Sequence, residues 1–249
     1  MAHAEPKPDR RPSPAARREH LRGLVLSLAL GLLGALPTLP NPWGPSVPGG
    51  GDEFAFLAWI ACLAPTAGAV AGGVGLDPLR FAPVAPASWA VALALSSAAR
   101  PEPPLAFPAL AAAGWTGLFY LGYAVGAWTR AAASTAAVLA LLSALLVALP
   151  TRAGLPGAPW PAETARRALD VSPFVLIAEC GGVRDLAWHR SLYAPAGTDR
   201  FAREPWPASG TAFLLLGAGV LAALLARRAR AASGGSPPRP EGHIASPTR

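Results

Sequence analysis

The sequence predicts an all-α, polytopic integral membrane bundle of about six transmembrane helices, with a polar external segment before the last helix. Three observations lead there. Apolar residues make up 52% of the 249-residue chain and charged residues only 14%, about half the charge of a soluble domain. The apolar residues are grouped into long runs without Asp, Glu, Lys, Arg or His, as a bilayer core demands. Basic residues stand beside those runs, and because Lys7 is the only lysine, the net charge of +7 is almost wholly arginine.

Residues 1–20 form a basic cytoplasmic tail. Within it Ser13-Pro14 supplies an N-cap and a first-turn residue for a short surface helix reaching Arg22. Residues 21–149 form a membrane domain of about five helices. The first run, Leu21–Leu39, carries no charge after Arg22. A cleaved signal peptide competes with this reading, but no A-x-A site lies near Ala35–Pro40, which favours an uncleaved span. Asn41–Glu53 has no Lys or Arg and reads as an external loop. Phe54–Leu76 is the second run, with a kink expected at Pro65. Asp77–Pro83, containing Arg80, turns the chain back on the cytoplasmic side. Val84–Ala99 is short enough either to dip into the bilayer or to cross it, and both readings stay open. Leu105–Trp128 and Ala131–Leu149 follow, separated by Arg130 and stopped by Pro150.

Residues 150–206 are the one sizeable polar region and read as external. Pro207–Ala226 is the last span, and Arg227, Arg228 and Arg230 open a disordered cytoplasmic tail, residues 227–249. Arginine flanks at both ends place both termini in the cytoplasm and require an even number of spans; six are assigned, although four would satisfy the same parity.

Composition excludes several chemistries. A P-loop needs its lysine inside G-x-x-x-x-G-K-[ST], and Lys7 lies in a Pro-rich tail, so any ATPase is a separate chain. The arginines lack interleaved aromatics, which argues against nucleic acid. Cys62 and Cys180 read as two separate thiols, too few for a disulfide framework or a zinc site. No metal, cofactor or catalytic residue is assigned. The charge-free runs offer no proton carrier, which disfavours ion-coupled transport. Gly68/Gly72 and Gly122/Gly126 have the small-xxx-small spacing of closely packed helices, and Trp89, Trp115, Trp128 and Trp206 read as interfacial anchors.

In the external segment, Ser172-Pro173 marks a helix start. Phe174, Ile177, Ala178 and Gly181 share a face that omits Glu179, Arg184 and Asp185, predicting an amphipathic helix along the bilayer surface that ends near Gly181-Gly182. A membrane enzyme built on residues 179–199, with His189 as base, Asp185 orienting it and Glu179 nearby, is the third functional option. Ion pairing on a solvated surface accounts for these residues more simply.

The layout resembles the permease subunit of ABC transporters of the ABC-2 type. The resemblance rests on the basic surface helix Ser13–Arg22, six runs, and a polar segment before the last span in which Ser172-Pro173-Phe174 looks like that family's Asn/Ser-Pro opening. The resemblance implies a permease powered by a separate ATPase chain, working as a homodimer or with a paired permease chain in the lipid bilayer. The ATPase would dock around Arg17, Arg18 and Arg22 and at the turn carrying Asp77 and Arg80. The alternative is a non-catalytic scaffold or assembly protein of the cell envelope.

Overall fold

The computed structural model describes residues 21, 25, 28–33, 51–79, 81–99, 105–148, 161–183 and 207–233. All regular structure among them is α-helical. Residues 28–33 are helical, followed by α1 (Gly51–Gly73), α2 (Val84–Ala99), α3 (Pro108–Thr129), α4 (Ala132–Ala148), α5 (Ala162–Asp170), α6 (Pro173–Cys180) and α7 (Ala208–Ser233). Pro108–Thr129 and Ala208–Ala232 are long and apolar enough to cross a membrane; the apolar stretches Leu57–Gly73, Val84–Ala94 and Ala132–Ala148 are shorter.

The core is built on α3, which packs α1 on one side and α7 on the other. Glycine makes both seams possible. A side chain at Gly68 would strike the Phe119 carbonyl, and one at Gly72 the Tyr123 carbonyl. In return, Gly122 lies on Pro65 and Gly126 on Ala69. The two glycine pairs therefore face each other and bring the backbones of α1 and α3 into contact. Gly117 lies in the same way against Leu215, and Gly219 against Gly117, along the α3–α7 seam. Along the α1–α3 seam the residue numbers rise together, and α7 follows α3 from Leu215 beside Gly117 to Arg230 beside Ala127, so α1, α3 and α7 run parallel, with α2 and α4 available to return the chain.

Pro65 sits inside α1 and removes the N–H that would bond the carbonyl four residues earlier, loosening that turn. In the turn before that proline, the Trp115 indole N–H donates to the Ile60 carbonyl of α1 at 2.8 Å. Around it stand Trp89 at 6.3 Å and Phe119 at 6.2 Å between ring centroids. Trp115 and Trp89 are only 2% and 3% exposed. The interfacial reading of these two is corrected: the Ile60 carbonyl of α1 satisfies the Trp115 indole inside the bundle, so it needs no headgroup. Trp128 is exposed, and Trp206 lies outside the described residues.

α7 continues through Ser233, past the expected end at Ala226, because Ala and Arg are good helix formers and no Gly or Pro intervenes before Gly234. α6 begins at Pro173 as expected, but it does not lie on a surface. It is wedged among α1, α3 and α7, with Phe174, Val175, Ile177, Ala178 and Cys180 buried. The reason is legible in PFVLIAEC: Val175, Leu176 and Cys180 extend the apolar face around the helix, and a helix apolar nearly all round is buried. The amphipathic helix of this segment is α5, where Ala168 and Leu169 are buried and Glu163 and Arg167 pair at 3.0 Å on the exposed side.

Candidate functional site

Because α1, α3 and α7 are parallel, their C-termini gather at one end and their N-termini at the other. A helix C-terminus leaves carbonyls without intrahelical partners and carries partial negative charge. Two arginines of α7 meet that need. Arg227 and Arg230, three residues apart, share a face. The Arg230 Nε–H donates to the Ala127 carbonyl of α3 at 3.2 Å, and a second guanidinium nitrogen donates to the Gly72 carbonyl of α1. Arg227 pairs with Asp77, Nε to Oδ1 at 3.2 Å and Nη2 to Oδ2 at 3.4 Å.

The connector after α1 is shaped for this arrangement. Gly75 takes φ +80°, and the Leu76 amide reaches back to the Ala71 carbonyl at 3.1 Å, a glycine-dependent helix stop. The Leu76 carbonyl then accepts the Tyr123 hydroxyl at 2.6 Å, and the Asp77 Oδ1 also accepts the Leu79 amide at 3.1 Å. Of the residues expected to contact a partner, Asp77 is thus committed within the chain to α7, while Arg17, Arg18, Arg22 and Arg80 lie outside the described residues. The signal for Arg227 and Arg230 was their spacing, which puts both on one helix face.

At the opposite end α6 fills the space between the helices. The Phe107 amide, entering α3, donates to the Gly181 carbonyl at 2.8 Å. Gly182 at φ +81° ends the turn. Glu179 is 4% exposed. The apolar runs themselves carry no Asp, Glu, Lys, Arg or His, yet α6 brings this carboxyl into the bundle from the polar segment, on the end where helix N-termini supply partial positive charge. Asp185 and His189, the other members of the enzyme option, lie outside the described residues. Among the described residues no group of three or more His, Cys, Asp or Glu is placed to hold a metal.

Cys62 and Cys180 are free thiols. Burial, reinforced by the charge of Glu179, pushes the Cys180 thiol up to about 12. Its folded state therefore favours the neutral form: this contribution is intact below the ordinary thiol value near 9.0, and it is lost as pH rises from there toward about 12. Cys180 is expected to resist maleimide at pH 8 in the folded protein and to react after denaturation; labelling of the folded chain at the rate of a free thiol would contradict its burial.

Ser172 occupies the N-cap of α6 without a side-chain cap bond, and its buried hydroxyl has no hydrogen-bond partner. The cap is present in sequence and position but not in bonding. Ser172→Ala is therefore expected to leave thermal stability unchanged or to raise it by about 1 kcal/mol, the cost of an unsatisfied buried hydroxyl being removed. A loss of similar size would show that the hydroxyl does cap the helix.

The outward faces are strongly apolar. Val138 and Leu141 on α4 and Phe213, Leu214 and Leu221 on α7 are each about 60% exposed or more, apolar surface of a kind that water does not favour. Comparison of the chain with protein families, with curated proteins and with solved structures finds no match.

Proposed function

We propose that the chain is the membrane-spanning permease subunit of an ABC-type transporter, inserted in a cell membrane with six spans and both termini in the cytoplasm, and powered by a separate ATPase chain. The observation that carries this reading is the parallel run of α1, α3 and α7. In a six-span count these are the second, fourth and sixth crossings, which must point the same way. The apolar outer faces of α4 and α7 suit lipid. The polar segment before α7, opening a helix at Ser172-Pro173, agrees with the resemblance drawn from the sequence.

In this reading residues 150–206 are external, α6 closes the external end, and the turn carrying Asp77 and Arg80 is cytoplasmic together with Arg17, Arg18 and Arg22. The permease works as a homodimer or with a paired permease chain. Energy comes from the ATPase. Purification from cells expressing the native neighbouring genes is expected to recover a P-loop subunit with this chain. Reversing the charges of Asp77 and Arg80 together should reduce that recovery. Arg227→Gln serves as the control, because it breaks the ion pair with Asp77 without changing the turn. Purification without any nucleotide-binding chain, or transport that Glu179→Gln abolishes while an ionophore does the same, would end the ATPase-driven reading and favour the scaffold or an ion-coupled carrier respectively.

A further inference from the structure

The end of the bundle where α1, α3 and α7 terminate carries net positive charge. Arg130, Arg227, Arg228 and Arg230 are gathered there against Asp77, four cations and one anion, a surplus of three among the described residues. Arg227 and Arg230 face inward to Asp77 and to the Ala127 and Gly72 carbonyls. Arg228 faces elsewhere. Leu214, Leu221, Leu225 and Arg228 are spaced by seven, four and three residues and so form one stripe, whose three leucines are all strongly exposed. Arg228, itself exposed, ends that stripe.

The neighbouring helix repeats the arrangement. Val125 and Trp128 share an exposed face of α3. Arg130 follows, exposed and held in the left-handed region at φ 54°, which turns the chain sharply at the end of the helix. On the connector at this same end, Val74 and Leu79 are 60% and 56% exposed. Apolar side chains, an exposed indole and cations therefore stand together at this end of the bundle, next to the apolar outer faces. That mixture fits the headgroup layer of a bilayer: the apolar groups reach the acyl boundary, Trp128 sits at the interface, and the guanidinium groups meet phosphates.

We propose that this rim, with Arg130 and Arg228 as its cations and Trp128, Val74 and Leu79 as its apolar members, binds the phosphate headgroups of anionic phospholipids. An acidic protein surface is the rival occupant. The geometry favours lipid, because Arg228 continues a lateral apolar stripe and does not cap the end of the helix, and because three exposed apolar side chains accompany the charges. The inference rests on the membrane-embedded part of the proposed function and not on the transport activity.

The test uses the full chain in detergent, titrated with phosphatidylglycerol or phosphatidylcholine and read by native mass spectrometry. Phosphatidylglycerol is expected to bind in preference, and each of Arg130→Gln and Arg228→Gln to weaken it by about fivefold, the worth of one arginine near an anionic surface. Arg130→Lys and Arg228→Lys should keep the preference, which separates charge from misfolding, and Arg227→Gln should keep it as well. Equal binding of the two lipids, or an unchanged preference in the double glutamine variant, would overturn the proposal. Displacement of phosphatidylglycerol by an equal concentration of inorganic phosphate would reduce the site to one for free anions. Loss of a copurifying ATPase chain in the double variant, with lipid preference intact, would assign the arginines to the protein rival. Release of the chain from membranes by alkaline carbonate would instead sink the membrane reading, whatever the lipid preference.

Discussion

Gly122→Leu is expected to prevent α1 and α3 from pairing and to abolish recovery of folded protein. Even the first carbon of a side chain at this position would overlap the Pro65 backbone, and Gly68 meets the Phe119 backbone in the same way. Backbone cannot swing aside as a flexible side chain can. The penalty should therefore reach or exceed the upper part of the usual overpacking range of about 1–3 kcal/mol, even for Gly122→Ala. Gly217 supplies the internal control, because nothing lies within 4 Å of a side chain placed there. Gly217→Ala should be neutral or stabilising by up to about 1 kcal/mol, the propensity difference in a helix. Unfolding in mixed micelles of increasing dodecyl sulfate, followed by circular dichroism, would rank the variants. Gly122→Ala and Gly217→Ala behaving alike would contradict the close seam.

Arg230→Ala should be the most damaging change at the polar end. It removes two hydrogen bonds from a charged donor to the Ala127 and Gly72 carbonyls, and such bonds are worth about 1.5–3 kcal/mol when well shielded. Because Arg230 is only partly buried, the expected loss is about 2–3 kcal/mol for the two together. Arg227→Ala breaks an ion pair with Asp77 whose partners are 48% and 32% exposed, and it should cost less than about 1 kcal/mol. Arg230→Lys should recover only part of the loss, since one ammonium nitrogen on a shorter side chain would have to reach both carbonyls that two separate guanidinium nitrogens reach in arginine. An Arg227→Ala variant less stable than Arg230→Ala would mean that the ion pair, and not the capping of helix ends, holds this end together.

These effects follow from features that the sequence displayed to different degrees. The apolar runs and their stops announced α2, α3 and α4 within a few residues, because charge, Pro and Gly delimit them directly. The spacing of Gly68/Gly72 and Gly122/Gly126 announced close packing, but not that each pair would find the other. That pairing depends on the tertiary register, which no single helix encodes. Asp77 was visible as a charge in a turn, and its partner Arg227 was visible as a basic flank. Their meeting required α7 to run parallel to α1 over a separation of 150 residues.

α6 was the least legible element. Its start at Pro173 and its stop at Gly182 were written in the chain, yet Glu179, with Arg184 and Asp185 beyond it, made it read as a surface helix. The other seven residues of PFVLIAEC outweigh that single carboxyl, and burial wins where enough apolar area accompanies a charge into a site rich in helix N-termini. Trp115 was misread for a related reason. Its exposed partner in solution would be water or a headgroup, but the Ile60 carbonyl of α1 takes that place, which only the folded arrangement of two helices can reveal.

The central claim is that α1, α3 and α7 cross a membrane in the same direction, with their C-termini together on one side. Reporter fusions made after Asp77, after Arg130 and after Ser233 test it most directly. All three should give an active fluorescent reporter and silent alkaline phosphatase, the signature of the cytoplasmic side. Phosphatase activity at any one of them, with fluorescence at the others, would show that the three helices do not run parallel through the bilayer and would contradict the account.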